Sequence, residues 1–151
     1  MTDIIYREAT KQDIPALAEI RGDSDDNREY WNDRILGYMN CTRHPQQALH
    51  PRIIYVACAD GSIIGFIAGH LTQRYNCDGE LQWINVIEKY ARRGIASKLI
   101  KILANWFIEQ SAYKICVDPG DDIARHFYKV NGAESLNSHW LFWPDIRNVI
   151  K

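Results

Sequence analysis

The 151-residue sequence predicts an α/β (α+β) domain with a mixed, mostly antiparallel central sheet flanked by helices, and three observations predict it. Apolar runs on both sides of Asp60-Gly61 form the strongest hairpin signal in the chain. Residues Gly94 to Gln110 repeat apolar side chains at helical spacing, with Ile95, Leu99, Leu103 and Trp106 on one stripe and Ala96, Ile100 and Phe107 beside it. Lys98, Asn105 and Glu109 fall on the opposite side. Strand, helix, strand, helix is the order from Glu80 onwards, and antiparallel strands followed by such a passage indicate helices layered on one mixed sheet.

Taken in order, Ile4 to Arg7 reads as a short strand. Thr10 with Asp13 forms a capping-box pattern and Pro15 suits a first turn, so a helix is expected over Asp13 to Arg21. Asp23 to Asn27 is polar enough for a loop, and Arg28 to Met39 places Trp31, Ile35 and Tyr38 on one helical stripe. Two prolines make Asn40 to Pro51 a loop. Ile53 to Ala59, Ile63 to Thr72 and Glu80 to Val86 then read as three successive hairpin strands. Beyond the long helix come a strand at Lys114 to Val117, a helix from Ile123 to Val130 and a last strand around Trp140 to Trp143.

Composition excludes several classes. Hydrophobic residues make up 46%, too many for a disordered chain, and no apolar run approaches the roughly 18 residues of a spanning helix. A net charge of -1 argues against broad phosphate contact with nucleic acid. Cys41, Cys58, Cys77 and Cys116 are scattered without a Cys-x-x-Cys pair, which fits free thiols in a reducing compartment better than a disulfide frame or a zinc site. The first residues lack the basic and apolar stretches of a secretion signal, so a cytoplasmic protein without a membrane partner is expected.

The chemistry begins at Arg92-Arg93-Gly94-Ile95-Ala96-Ser97, between an apolar strand and the long helix. The glycine allows a tight turn, and the first helix amides have no internal partner and lie at the positive end of the dipole. With two arginines beside them they suit a pyrophosphate.

Together with the order of elements, this turn resembles that of the GNAT superfamily of N-acetyltransferases, and the resemblance covers nearly the whole chain. That family binds the pyrophosphate of acetyl-CoA with a Gln/Arg-x-x-Gly-x-Gly/Ala turn. Gly94 and Ala96 fit it, and Ala91 departs at the Gln/Arg position, so the resemblance implies that Arg92 or Arg93 supplies the missing charge. Asp121-Asp122-Ile123-Ala124-Arg125-His126-Phe127-Tyr128, followed by Gly132, is similar to the family's Asn-x-x-Ala-x-x-x-Tyr. Tyr128 then corresponds to the phenol that protonates the departing thiolate, a role open to a group with a reference pKa near 10. The alternative is a tyrosine packed on the sheet with its hydroxyl satisfied. Asp121 stands where an asparagine contacts the cofactor.

Glu80 precedes Val86 by the spacing of the family's general base, with Asp78 as a weaker substitute; the other reading is an exposed strand-end glutamate. A base is needed because an ammonium ion has no lone pair with which to attack a thioester. The resemblance also implies pantetheine held by backbone near Asn85, Val86 and Ile87, with an amide there stabilising the oxyanion. No covalent acyl-enzyme is then required, and Cys116, in an apolar strand, reads as a core residue.

Other features read as structural first. His44 and His50 lack companion ligands at metal spacing, so no metal is expected. His126 and His139 suit a helix surface and a strand. Asp23, Asp25, Asp26 and Glu29 form either a solvated loop or an acidic lip that attracts a cationic amine. Trp140, Phe142 and Trp143 pack locally, wall an acceptor pocket or form the seam of a homodimer. The expected function is acetyl-CoA-dependent N-acetyl transfer to a primary amine of a small molecule or peptide. The competing reading is a non-catalytic acyl-CoA-binding regulatory module on the same fold, which the departures at Ala91 and Asp121 favour.

Overall fold

A computed structural model describes residues 3–22 and 25–151. Strand β1 (Ile4–Glu8) is followed by a 3-10 turn at Lys11–Asp13, helix α1 (Ile14–Arg21) and helix α2 (Asp25–Met39). Three long strands, β2 (Ala48–Ala59), β3 (Ser62–Thr72) and β4 (Gly79–Val86), come next. Helix α3 (Ile95–Glu109), β5 (Ile115–Val117), α4 (Asp122–Val130), β6 (Glu134–Ser135) and β7 (Leu141–Trp143) complete the order. The strands form a sheet ordered β1-β2-β3-β4-β5-β7-β6. Among the described residues only β4 and β5 pair in parallel.

Strand alternation sends apolar side chains to both faces of the sheet, and each face is covered by helices. Val56, Phe66, Ala68 and Trp83 pack under α1 and α2 through Leu17, Ile35 and Tyr38. Ala57, Ile67 and Leu81 pack under α3 through Leu99, Leu103 and Phe107, with Tyr128 of α4 in the same cluster. The fully buried valine, leucine, isoleucine and phenylalanine side chains among these contribute about 1.5–3 kcal/mol each. Helix α3 lies close to the strands because Gly69 and Gly79 lie beneath it. A Cβ on Gly79 would meet Phe107 Cε1 at 2.4 Å, and one on Gly69 would meet Leu103 Cδ1 at 2.9 Å.

The capping box is present: the Thr10 amide donates to Asp13 Oδ2 at 2.7 Å, and Arg7 clasps the same carboxylate with bonds of 2.7 and 2.9 Å. The Arg7 hydrogen bonds, ahead of the opposing effect of burial, hold Asp13 below the usual carboxylate range. This clasp fixes α1, whose last residue Arg21 reaches the cleft described below.

Several boundaries differ from expectation. Helix α2 starts at Asp25 rather than Arg28, which shortens the expected Asp23-to-Asn27 loop; Asp23 and Ser24 lie outside the described residues, as do the side chains of Asp25 and Asp26. The loop expected through Pro51 ends earlier, because β2 begins at Ala48 and Ala48 pairs with Thr72. Proline carries no amide to donate, which disguised the strand. The two-residue β6 is too short to leave a periodic signal.

Candidate active site

The parallel pair β4–β5 is hydrogen-bonded only over Gly79–Leu81 against Ile115–Val117. Beyond Leu81, β4 continues for five residues to Val86 while β5 ends at Val117 and the chain turns through Asp118-Pro119-Gly120 into α4. The sheet therefore splits, and the split is the candidate site. A cavity of about 410 Å³ occupies it, lined by Gln82 to Val86 on one side and by Asp118 to Asp121, Ala124 and Tyr128 on the other.

Which main-chain groups face the split follows from register. The Ile87 amide donates to Ile64 O of β3 at 2.9 Å, so with a period of two Asn85 also turns its peptide groups towards β3, where it pairs with Phe66. Ile84 and Val86 turn theirs towards the split. Of the expected trio of Asn85, Val86 and Ile87, Val86 faces the split with Ile84 beside it, while Ile87 gives its amide to β3 and lines no part of the cavity. Asn85 lines the cavity through its side chain, whose Oδ1 accepts a 2.8 Å bond from Arg21. Gln82 is the extra residue of a bulge, since Ala68 pairs with Trp83 and Gly69 with Leu81. Its Oε1 is buried with no hydrogen-bond partner among the described residues, an acceptor left for a bound molecule. A bulge leaves no mark in a hydrophobic pattern, so the sequence did not single out Gln82.

At one end the split opens onto the glycine turn. A cavity of about 260 Å³ there is lined by Tyr90, Ala91, Arg92, Gly94, Ile95, Ala96 and Ser97, and it shares Val86, Ala96 and Phe127 with the first. Gly94 caps α3 at φ 80°, in the left-handed region that favours glycine. The first α3 bond to the turn runs from the Lys98 amide to Gly94 O, which leaves the amides of Ile95, Ala96 and Ser97 without partners among the described residues. Arg92 pairs with Glu88 at 3.2 Å on the open surface, and the Arg93 guanidinium lies 5.1 Å from the centre of the Tyr90 ring. Both are exposed beside the amides they were expected to assist.

At the other end a third cavity, of about 400 Å³, shares Arg21, Gln82, Trp83, Asp118 and Gly120 with the split and reaches Glu80. Glu80 is not an exposed strand end. It is 5% exposed, its Oε1 accepts a 3.1 Å bond from Arg74 Nε, and His70 Nε2 lies 3.7 Å away. His70 is itself fully buried, with Tyr38 Oη 2.9 Å from its Nδ1. Sequence spacing did not reveal His70 or Arg74, because a bulged register and a 3-10 turn bring them to Glu80.

Tyr128 sits on the wall of the split, with its ring packed edge-on against Trp143 at 6.0 Å. Burial raises its pKa well above the ordinary phenol value, so it keeps its proton through neutral pH. Its hydroxyl has no hydrogen-bond partner among the described residues, unlike that of Tyr38. Asp121 lines the split but caps α4, with Oδ1 accepting from the Ala124 amide at 2.8 Å. Cys116, opposite Glu80 in the sheet, is fully buried and its thiol is pushed up by a hydrogen bond with Cys77 and by burial. His139 pairs with Asp118 at 2.7 Å, His126 is exposed, and Asp78 accepts the amides of Tyr113 and Lys114 at 3.0 Å. Trp140 is occupied by Arg74, 4.6 Å from its ring centre, and Trp143 is buried.

The sequence matches a known family, and the fold matches known proteins. A sequence model of the acetyltransferase (GNAT) family matches residues 15–133. The chain belongs to that family. This acetyltransferase matches in fold the PaiA N-acetyltransferase of Thermoplasma acidophilum in complex with coenzyme A, at a TM-score of 0.70 and 16% identity over 93% of this chain and 97% of that one. Ard1 of Thermoplasma volcanium aligns at a TM-score of 0.71 and 22% identity, covering 92% and 95%. AtaTR bound with AcCoA aligns at 0.70 and 14%, covering 97% and 96%. No curated protein sequence matches. The acetyltransferase has no helix, among the described residues, long and apolar enough to cross a membrane.

Proposed function

We propose that the acetyltransferase moves the acetyl group of acetyl-CoA to a primary amine of a small molecule or peptide, by direct attack of the bound amine on the thioester. The observation that carries this reading is a continuous cleft. It runs from three unpaired amides at Ile95, Ala96 and Ser97, past the Tyr128 hydroxyl, to the buried carboxylate of Glu80. The amides and the dipole of α3 suit a pyrophosphate, with Arg92 and Arg93 as surface charges and Asp121 at the rim. An extended pantetheine chain fits the split, where the peptide groups of Ile84 and Val86 have no strand partner.

The roles then follow. Glu80, directly or through one water, takes the proton that makes the acceptor an ammonium ion at neutral pH. Gln82 Oε1 accepts an N–H of the amine and aims its lone pair. The C–N bond forms as an amide of Ile84 or Val86 stabilises the oxyanion, an effect commonly worth about 3 kcal/mol. The nitrogen of the adduct gives up its second proton to solvent, the C–S bond breaks, and the thiolate takes a proton from Tyr128; Tyr128 regains one from solvent and Glu80 releases its own there. Cys116 has no thiolate to offer, which supports transfer without an acyl-enzyme.

Released thiol measured across an amine panel tests this. Tyr128→Phe should lower kcat about a hundredfold while acetyl-CoA binding stays within about twofold; unchanged turnover removes Tyr128 from the chemistry. Acetyl-CoA that binds without releasing thiol for any amine would support the non-catalytic acyl-CoA-binding module, the reading favoured by Ala91 and by the capping duty of Asp121.

A further inference from the structure

Past Glu80 the cleft continues into a fourth cavity, of about 290 Å³, lined by Arg34, Tyr38, Arg43, His44, Pro45 and Trp83. It shares Arg34, Pro45 and Trp83 with the cavity that holds Glu80. Arg34 is therefore on the wall of both.

The charge here runs against an acidic lip. Arg7, Arg74, Arg92 and Arg147 each face a carboxylate. Arg34 and Arg43 have no ion pair among the described residues; Arg34 has only the Tyr30 ring, 5.9 Å away. Among the described residues no carboxylate lines this fourth cavity, and in the adjoining one Glu80 and Asp118 are already engaged by Arg74 and His139. The acidic residues near Arg34 are elsewhere: Glu29 and Asp33 are exposed on α2. Asp25 and Asp26 open that helix, about 12–14 Å along its axis at 1.5 Å per residue.

We propose that the acceptor amine carries a carboxylate or phosphate, held by Arg34 and Arg43 while its amino group faces Glu80. The proposal rests on the transferase reading and narrows its substrate. Two guanidiniums without counter-charges repel an ammonium ion and match an oxyanion with paired N–H donors. Glu80, the carboxylate assigned to the amine, lines the adjoining cavity on the other side of the shared wall. A substrate with an amine at one end and an anion at the other satisfies both ends at once. The Tyr38 and Trp83 rings between them suit a short apolar linker.

Matched pairs test this: free amino acids against their C-terminal amides, and phosphoethanolamine against ethanolamine, with released thiol as the readout. The charged member of at least one pair should have the lower KM, and the pair that shows it identifies carboxylate or phosphate as the anion. Arg34→Gln should raise that KM about ten- to a hundredfold, at least tenfold more than for the neutral partner, and Arg34→Lys should recover part of the loss. Arg43→Gln should act in the same direction more weakly. Equal or better use of the neutral members overturns the anion site and leaves the transferase reading standing. If no amine releases thiol, that reading fails, and calorimetric titration of N-acetylglycine against N-acetylglycinamide decides the site separately. Tighter binding of the acid, abolished in Arg34→Gln, supports it; equal binding overturns it.

Discussion

The two ends of the cleft are built in opposite ways. The donor end is a single local turn: Gly94 at φ 80° and the three amides after it, all within a few residues. The acceptor end gathers Arg34 from α2, Arg43 and Pro45 from the segment after it, Arg74 from a 3-10 turn, Glu80 and Trp83 from β4, and Trp140 from the segment before β7. Backbone groups form the first, side chains from distant segments the second. A local backbone site depends on one turn geometry and tolerates surface changes. A site gathered from many segments is sensitive to each side chain and free to vary its ligand, which is why the fold alone does not name the acceptor.

The largest test of this contrast is Glu80→Gln. Arg74 and His70 keep their positions around an isosteric amide, so the fold survives, while the group proposed to take the ammonium proton is lost. Turnover at pH 7 should fall by about two orders of magnitude, with acetyl-CoA affinity unchanged because the donor end is untouched. The defect should shrink as pH rises towards about 10, where an alkylamine deprotonates unaided. Tyr128 does not oppose that recovery. Its pKa is raised by burial, so its proton is retained at every pH up to and beyond the ordinary phenol value. A pH-independent defect would instead assign Glu80 to binding, and the acceptor end would then lack its base.

Legibility follows the same division. Gly94, Ala96 and the α3 stripe lie next to one another in sequence, and periodicity with a glycine marks them. Tyr128 lies in one helical motif, and Glu80 at a fixed distance from Val86. Register turns the peptide groups of Asn85 and Ile87 towards β3 and those of Ile84 and Val86 towards the split, an alternation that the resemblance did not specify. His70, Arg74 and Gln82 reach the site through a bulge and a 3-10 turn, irregularities that hydrophobic patterning does not record. Arg34 and Arg43 are ordinary basic residues until the fold shows that, among the described residues, no carboxylate pairs with them. The acidic residues Asp23, Asp25 and Asp26 were legible as composition, and their side chains lie outside the described residues.

Two glycine substitutions compare the frame with the turn. Gly79→Ala places a methyl group 2.4 Å from Phe107 Cε1, in a core where ring and strand are both fixed. Its expected cost is about 1–3 kcal/mol, read as a lowered denaturation midpoint, with loss at both ends of the cleft as α3 shifts off the sheet. Gly94→Ala meets nothing within 4 Å, so its cost is the left-handed backbone alone, about 1 kcal/mol. That loss should appear chiefly as a severalfold rise in the KM for acetyl-CoA. If Gly94→Ala were the more destabilising of the two, the donor turn would be part of the folding core, and the contrast between a local and a gathered end would fail.

The smallest expected effect is at Arg92 and Arg93. If the amides of Ile95 to Ser97 carry the pyrophosphate, the two side chains act as screened surface charges. Arg92 is 80% exposed and already paired with a Glu88 that is 84% exposed, and surface pairs of this kind contribute about 0–1 kcal/mol. Arg92→Ala and Arg93→Ala should each raise the KM for acetyl-CoA by less than about fivefold, and the effect should fade between 0.05 and about 0.5 M salt as the Debye length shortens. A salt-insensitive loss of tenfold or more would mean a direct, desolvated contact. One arginine would then fill the position left by Ala91, and the donor end would depend on a specific side chain as the acceptor end does.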